Sequence, residues 1–186
     1  MASIIEISNV ALLGLGSDPI SSLTEQSPNA VVVNAHWNTV RRGLLRKHTW
    51  NFAIKRQNLA RSATPPNHAY DYRYALPADY IRLIQVYSQQ DYKIEGLFVL
   101  TNDDACQIKY IADITDTNAW TTDFTELAVA KLQMEIAYAV TRDKDLTKLY
   151  SQLFSSKLAD ALWADASEDT EDDIPTDANG LIGVRF

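Results

Sequence analysis

The feature that most constrains this chain is a change in the spacing of its apolar residues. Residues 49–120 are dense in aromatic side chains and in part follow the two-residue repeat of β-strands, and seven of the chain's nine tyrosines lie between Tyr70 and Tyr110. The segments on both sides follow the spacing of helices instead. This pattern predicts a fold of the α+β class, in which helices flank a sheet.

Four helices are predicted from apolar spacing and from residues that favour helix ends. The second begins at Ser27, a good N-cap, followed by Pro28 at the first helical position, and ends near His48. Asp123 and Glu126 have capping-box spacing at the start of the third. The apolar stripes expected in the core are Val33, Trp37, Val40 and Leu44 in the second helix, Leu127, Ala130, Met134, Ala137 and Tyr138 in the third, and Leu146, Leu149, Leu153, Leu158 and Leu162 in the fourth.

The order of these segments predicts an insertion into a helical bundle. The N-terminal and C-terminal helical pairs are expected to bury their stripes against each other in a four-helix bundle of residues 1–48 and 122–165. Residues 49–121 are then an inserted small antiparallel β module, a meander with a hairpin turn at Glu95-Gly96. Residues 166–186 form an extended, acidic C-terminal tail.

The net charge of −7 is divided between two blocks of opposite sign. Residues 165–186 hold seven acids and one base and therefore carry −6. The interval between Glu25 and Asp71 contains no acid, and its seven bases are Arg41, Arg42, Arg46, Lys47, Lys55, Arg56 and Arg61. Opposed blocks predict contacts between copies of the chain or with a charged partner, although solvated surfaces are an equally good explanation.

The sequence predicts no catalytic, cofactor-binding or metal-binding residues. The three histidines lack neighbours at ligand spacing, and Gly14-Leu15-Gly16 lacks the third glycine of a dinucleotide loop. Cys106 alternates with Ile108 and Tyr110, which indicates a thiol in the core, and a single cysteine fits a reducing compartment. No apolar run approaches the roughly 20 residues of a membrane span, and the first residues lack the basic region of a signal peptide.

Two other classes of function stay open at this point. Paired carboxylates among aromatic side chains, either Asp103 with Asp104 or Asp113 with Asp116, are the arrangement that a glycan-degrading enzyme uses. However, aspartates next to turns are favoured there for backbone reasons alone. The basic interval, with the aromatic residues 50 and 52 inside it, could instead form a DNA-binding module, although the whole chain is acidic.

An ordered set of short motifs spans roughly residues 28–165. In chain order they are Leu44-Leu45-Arg46, Trp50-Asn51-Phe52-Ala53, Leu59-Ala60, Tyr74-Ala75-Leu76-Pro77-Ala78-Asp79, Ile94-Glu95-Gly96, Ile108-Lys109-Tyr110-Ile111 and Phe124. Together they resemble the tail tubular protein A family, the head-to-tail adaptors (connectors) of short-tailed bacteriophages, or podoviruses. No single motif is specific, whereas their order is.

The resemblance implies a structural virion protein and not an enzyme. Such adaptors are homo-oligomers, typically a dodecameric ring, that lies in the viral tail below the portal protein and above the tail nozzle of tubular protein B type. Genomic DNA passes through the ring during ejection without sequence-specific binding. The resemblance also implies a helical bundle with an inserted β module, no cofactor, no membrane partner, and assembly in the host cytoplasm before incorporation into the virion.

Two groups of candidate site residues follow. The C-terminal segment of such adaptors commonly reaches to the portal, so the resemblance implies portal binding by Ile182, Val184, Arg185 and Phe186. The charge pattern predicts subunit contacts at Arg42, Arg46, Lys55, Arg56 and Arg61. Among these, Arg42 and Arg46 are expected to face protein and not the channel, because a basic lumen would hold DNA.

Overall fold

A computed structural model of the chain describes residues 3–88 and 90–168. Within these residues it contains four α-helices, six β-strands and two short 3₁₀ helices. In chain order the elements are α1 (Ile4–Gly14), α2 (Pro28–Lys47), a 3₁₀ helix (Asn51–Ala53), β1 (Ile54–Asn58), β2 (Tyr72–Ala75), β3 (Tyr80–Tyr87), β4 (Tyr92–Glu95), β5 (Phe98–Thr101), β6 (Gln107–Ala112), a second 3₁₀ helix (Thr117–Ala119), α3 (Thr122–Thr141) and α4 (Lys144–Ser167).

The strands form two antiparallel sheets of three strands each. Sheet A has the order β1-β6-β3 and sheet B the order β2-β5-β4. The hairpin expected at Glu95-Gly96 is present as β4 and β5, and Gly96 has the positive φ of 58° that favours glycine. The single meander is wrong, because β1 pairs with the distant β6. The sequence of β1, Ile-Lys-Arg-Gln-Asn, lacks the apolar alternation that marks a half-buried strand, so the sequence did not predict this strand.

The four helices do not form the predicted bundle of an N-terminal and a C-terminal pair. Helix α3 is central, and α1, α2 and α4 each make their most extensive helix contacts with it. The physical reason is that α3 is buried around most of its circumference, because Ala128, Leu132 and Gln133 are buried as well as the predicted stripe members Leu127 and Ala130. The apolar spacing predicted only one buried stripe for α3, whereas its contacts with three helices bury several sides.

Sheet A lies between the helices and sheet B. One of its faces, which includes Ile54, Ile81 and Ile111, belongs to the core shared with the helices. The opposite face, which includes Ile108 and Tyr110, packs in a second core with residues of sheet B. Successive residues of β6 point alternately to the helices and to sheet B, because side chains alternate between the two faces of a strand. The described part of the chain therefore has three layers: helices, sheet A and sheet B.

The ends of the helices agree only in part with the prediction. Ser27 caps α2, since its hydroxyl oxygen accepts the Ala30 N–H at 3.2 Å. Helix α3, in contrast, is capped by Thr121, so Asp123 lies inside its first turn. No helix within the described residues is long and apolar enough to cross a membrane.

Candidate interaction surfaces

Arg41, the first base of the basic interval, forms an ion pair inside the chain. Its Nη2 atom lies 3.1 Å from Oδ1 of Asp113 and donates a hydrogen bond of 3.2 Å to Oδ2. Both side chains are largely buried, with 9% and 16% of their surfaces exposed. Because Asp113 directly follows β6, this ion pair attaches helix α2 to sheet A.

Replacing Asp113 by asparagine should destabilise the fold while keeping the size of the side chain. Removing one partner of a buried ion pair costs about 3–5 kcal/mol, and partial exposure reduces this, so we expect a loss of about 2–3 kcal/mol in the free energy of unfolding. Urea denaturation measures the loss. The matched change Asp104→Asn, at an exposed aspartate, should cost less than about 0.5 kcal/mol. Equal losses in the two variants would contradict the role of the ion pair.

Arg42 and Arg46 are exposed, and both have a partner within the chain. Nε of Arg42 lies 3.7 Å from Oδ2 of Asp113, and Nη1 of Arg46 donates a 2.9 Å hydrogen bond to the carbonyl oxygen of Ile81 in β3. Both arginines therefore border the junction between α2 and sheet A. That they face another protein subunit, and not a channel, stays a prediction about the assembly.

Lys55 belongs to a small network at the edge of sheet A. Its Nζ atom donates a 2.7 Å hydrogen bond to Oδ2 of Asp79, and Oδ1 of Asp79 accepts the Tyr110 hydroxyl at 3.0 Å. Burial together with the neighbouring carboxylate raises the pKa of Tyr110 to about 12. Burial by itself would raise the pKa of Asp79, but the hydrogen bonds from Lys55 and Tyr110 hold it below its usual value. The charge of Lys55 is thus already opposed within the chain.

Within residues 3–88 and 90–168, the remaining bases of the interval have weaker partners or none. The guanidinium carbon of Arg61 lies 3.8 Å from the centre of the Tyr72 ring, a cation–π contact. Lys47 and Arg56 are exposed and form no ion pair with a described residue. Arg56 also stands opposite Lys109 in the register of β1 and β6, so two cations are neighbours on one face of sheet A. Lys47 and Arg56 are therefore the bases best placed for a partner.

A second kind of surface is apolar and lies on the helices. Val10 and Leu13 of α1 are 55% and 59% exposed, and Leu149 and Leu153 of α4 are 54% and 41% exposed. We call these four residues the helical surface. A groove of about 220 Å³ adjoins it between α1, α3 and α4, and is lined by Val10, Glu126, Val129, Ala130, Gln133, Leu153 and Lys157. Exposed apolar residues that cluster in this way mark contact sites with other proteins.

The buried residues of α4 differ from the core stripe that was predicted for this helix. Leu149 and Leu153 were expected to be buried, whereas the buried residues of α4 are Phe154, Ala161 and Asp165. At roughly 100° per residue, Phe154 lies about 140° around the helix from Leu149, so α4 carries apolar residues on two separate sides. This two-sided pattern is the sequence signal that could have identified the helical surface.

A third surface lies on the β4–β5 hairpin. Tyr92, Ile94 and Leu97 are 44%, 38% and 72% exposed, and we call them the hairpin surface. Helices α1 and α4 contact α3, α3 contacts α2, α2 contacts sheet A, and sheet A packs on sheet B. The helical surface and the hairpin surface are therefore separated by the intervening layers and lie in different parts of the molecule.

Cys106 is buried in the core between the two sheets, as its alternation with Ile108 and Tyr110 predicted. Burial raises the pKa of the Cys106 thiol to about 11. A thiol with so high a pKa is protonated at neutral pH and is a poor nucleophile. Within the described residues, no group of three or more histidine, cysteine, aspartate or glutamate side chains could hold a metal ion.

The aspartates considered for glycan hydrolysis have partners of their own. Asp103 accepts a hydrogen bond from the Ser88 hydroxyl, and Asp116 accepts the Asn118 N–H at 3.0 Å at the start of a 3₁₀ helix. Asp113 faces the two arginines described above. A surface depression of about 290 Å³ lies between the loop before β2 and the hairpin, and none of these aspartates is among its lining residues: Thr64, Pro65, Pro66, Asn67, His68, Ala69, Tyr70, Arg73, Lys93, Glu95, Phe98 and Leu100.

The portal-binding candidates Ile182, Val184, Arg185 and Phe186 lie outside the described residues. The same holds for the tail from residue 169 onward, while residues 166 and 167 belong to helix α4. No family model matches the chain, and no curated protein matches it either. The resemblance to the tail tubular protein A family therefore stays a prediction from the ordered motifs.

Proposed function

We propose that this chain is a ring-forming adaptor in the tail of a short-tailed phage, where it links the portal to the tail nozzle and forms part of the DNA ejection channel. The observation that carries the proposal is the pair of exposed apolar surfaces, one on helices α1 and α4 and one on the β4–β5 hairpin. The ordered motifs are the reason for proposing a phage adaptor and not another ring-forming protein.

The geometry supports a ring because a closed ring uses a heterologous interface, in which one surface meets a different surface of the next copy. A subunit in such a ring needs apolar contacts in more than one place, and this chain exposes apolar residues in two layers of its fold. We assign the helical surface to the contact between neighbouring copies. The hairpin surface is then left for a second contact, with a neighbouring copy or with the portal or nozzle.

The charges are compatible with a channel for DNA. Twelve copies at −7 each would carry −84, so the ring would be acidic overall and would repel the phosphate backbone. Within each copy, Asp113 and Asp79 already oppose Arg41 and Lys55. The basic interval is thus partly neutralised before any partner binds, which favours sliding of DNA over capture.

The proposal is tested by mixing the purified protein with portal protein and imaging the complex by negative stain. We expect twelve-fold rings attached to the portal. The chain lacking residues 174–186 should keep its circular dichroism spectrum but lose attachment, because the apolar end of the tail is the proposed portal contact. Particles that stay monomeric with portal would overturn the ring, and attachment without residues 174–186 would overturn the assigned portal contact. Release of sugars from a polysaccharide by the wild-type chain, lost in an Asp103→Asn variant, would favour the enzyme class instead.

A further inference from the structure

Asp165 holds the end of helix α4 in place. Asp165, near the end of α4, is buried and contacts the segment that joins α2 to β1. Its Oδ2 lies 3.1 Å from Nε2 of His48, and its Oδ1 accepts the Asn51 N–H at 3.1 Å. Its backbone carbonyl also accepts the Asn51 side-chain amide at 2.9 Å. These contacts hold the end of α4, which we call the exit point, next to the residues that lead into β1.

Two exposed bases flank, in the sequence, the residues that Asp165 contacts at this exit point. Lys47 directly precedes His48, and Arg56 lies in β1, five residues after Asn51. Among the exposed bases of the interval, these are the two whose side chains form no ion pair, hydrogen bond or ring contact with a described residue. Strand β1 is moreover the outer strand of sheet A, and its residues from Lys55 to Asn58 are exposed. One edge of the sheet is therefore open, and Arg56 gives it a positive charge that no described residue opposes.

The sequence that leaves at this point has the opposite charge. Residues 169–177 contain no base, and their five acids are Asp169, Glu171, Asp172, Asp173 and Asp177. Nine residues in an extended conformation span about 30 Å, whereas a five-residue strand such as β1 is about 17 Å long. The acidic segment is thus long enough to reach all of β1 from its starting point.

We propose that residues 169–177 lie along the exposed side of β1 of the same chain, where their carboxylates pair with Lys47 and Arg56. The same chain is the favoured occupant because Asp165, four residues before this segment, contacts Asn51, three residues before β1, and a covalently attached partner has an effective concentration of the order of millimolar. Individual surface ion pairs contribute less than about 1 kcal/mol, so the contact depends on several weak pairs and is sensitive to salt.

This contact goes beyond the adaptor function, because it forms within one copy and needs no ring. As a consequence of this contact, residues 169–177 cover β1 and oppose its positive charge, as a bound polyanion would. An uncovered basic strand would hold DNA electrostatically. The remaining residues, 178–186, stay available for another partner, and a protein that binds β1 must displace the acidic segment first.

Zero-length carbodiimide cross-linking of the full-length monomer tests the proposal. An equal mixture of ¹⁴N- and ¹⁵N-labelled protein is cross-linked at low salt, and the joined peptides are identified by mass spectrometry. We expect cross-links between Lys47 and the acids of residues 169–177, with both peptides carrying the same isotope. The yield should fall several-fold in 1 M salt, where the screening length is about 3 Å.

Two further arms make the result specific. Arg56→Lys introduces an amine at the second predicted contact and should add a cross-link to the same acidic segment. Lys144 is the control, since it is exposed at the opposite end of α4, roughly 36 Å from the exit point for 24 residues of helix. Cross-links of mixed isotope, equal yields at Lys144 and Lys47, or no cross-link at Lys47 and in Arg56→Lys would each overturn the proposal. None of these outcomes depends on whether rings form with the portal.

Discussion

Replacing Leu149 and Leu153 together by glutamate should leave the protein folded but abolish ring formation with the portal. Both side chains are about half exposed in the single copy, so the change costs little in folding. In the proposed ring they are buried against a neighbouring copy, where an unpaired carboxylate costs several kcal/mol. The penalty is repeated at every interface around the ring. Negative-stain imaging and analytical ultracentrifugation measure the assembly, and circular dichroism measures the fold.

The matched control introduces two glutamates on a polar side of the same helix, as Ser151→Glu with Ser155→Glu. Both positions are exposed, so the control adds the same charge without touching the helical surface. It should form rings as the wild-type chain does. Rings formed by the leucine variant, or rings lost equally in both variants, would refute the assignment of the helical surface to the contact between copies.

The sequence predicted those elements whose own residues carry a strong pattern. The α2 stripe of Val33, Trp37, Val40 and Leu44 is buried as expected, because each member belongs to one helical face. The β4–β5 hairpin was likewise identified, from its turn glycine. These signals are local, since they depend on residues within one or two turns or strands.

The predictions were wrong where burial depends on contacts between segments that are distant in the sequence. Whether α3 touches one helix or three depends on partners elsewhere in the chain, and so the paired bundle was wrong. The same holds for Leu149 and Leu153, which are apolar but lie on the side of α4 that no described segment covers. An apolar residue in an assembly can be buried by a second copy as well as by its own chain, and one sequence does not distinguish the two.

For the candidate site too, the sequence predicted the local charge but not the residues that pair with it. The sequence identified the basic interval, but the partners of Arg41 and Lys55 are aspartates 72 and 24 residues away along the chain. Only the fold brings them together. Strand β1 was missed because its exposed, polar residues resemble a loop, although its position at the sheet edge makes it the basic strand of the proposed tail contact.

Replacing Trp50 by alanine should lower the free energy of unfolding by about 3–5 kcal/mol, the largest loss that we expect from a single substitution in this chain. Trp50 is 1% exposed, and its ring meets that of Phe124 at a centroid distance of 5.0 Å. Its indole N–H donates a 2.8 Å hydrogen bond to the Leu44 carbonyl near the end of α2. The residue thus joins α2, α3 and the start of sheet A. Equilibrium denaturation in urea measures the loss.

Trp50→Phe separates the two contributions of the indole. Phenylalanine keeps most of the aromatic packing against Phe124 but cannot donate to the Leu44 carbonyl, so it should cost about 1–2 kcal/mol. Domains of this size are stable by only about 5–15 kcal/mol, so the alanine variant should also unfold at a markedly lower temperature and form fewer rings at 37 °C. Losses of equal size for alanine and phenylalanine would show that the hydrogen bond, and not the packing between α2 and α3, accounts for the contribution of Trp50.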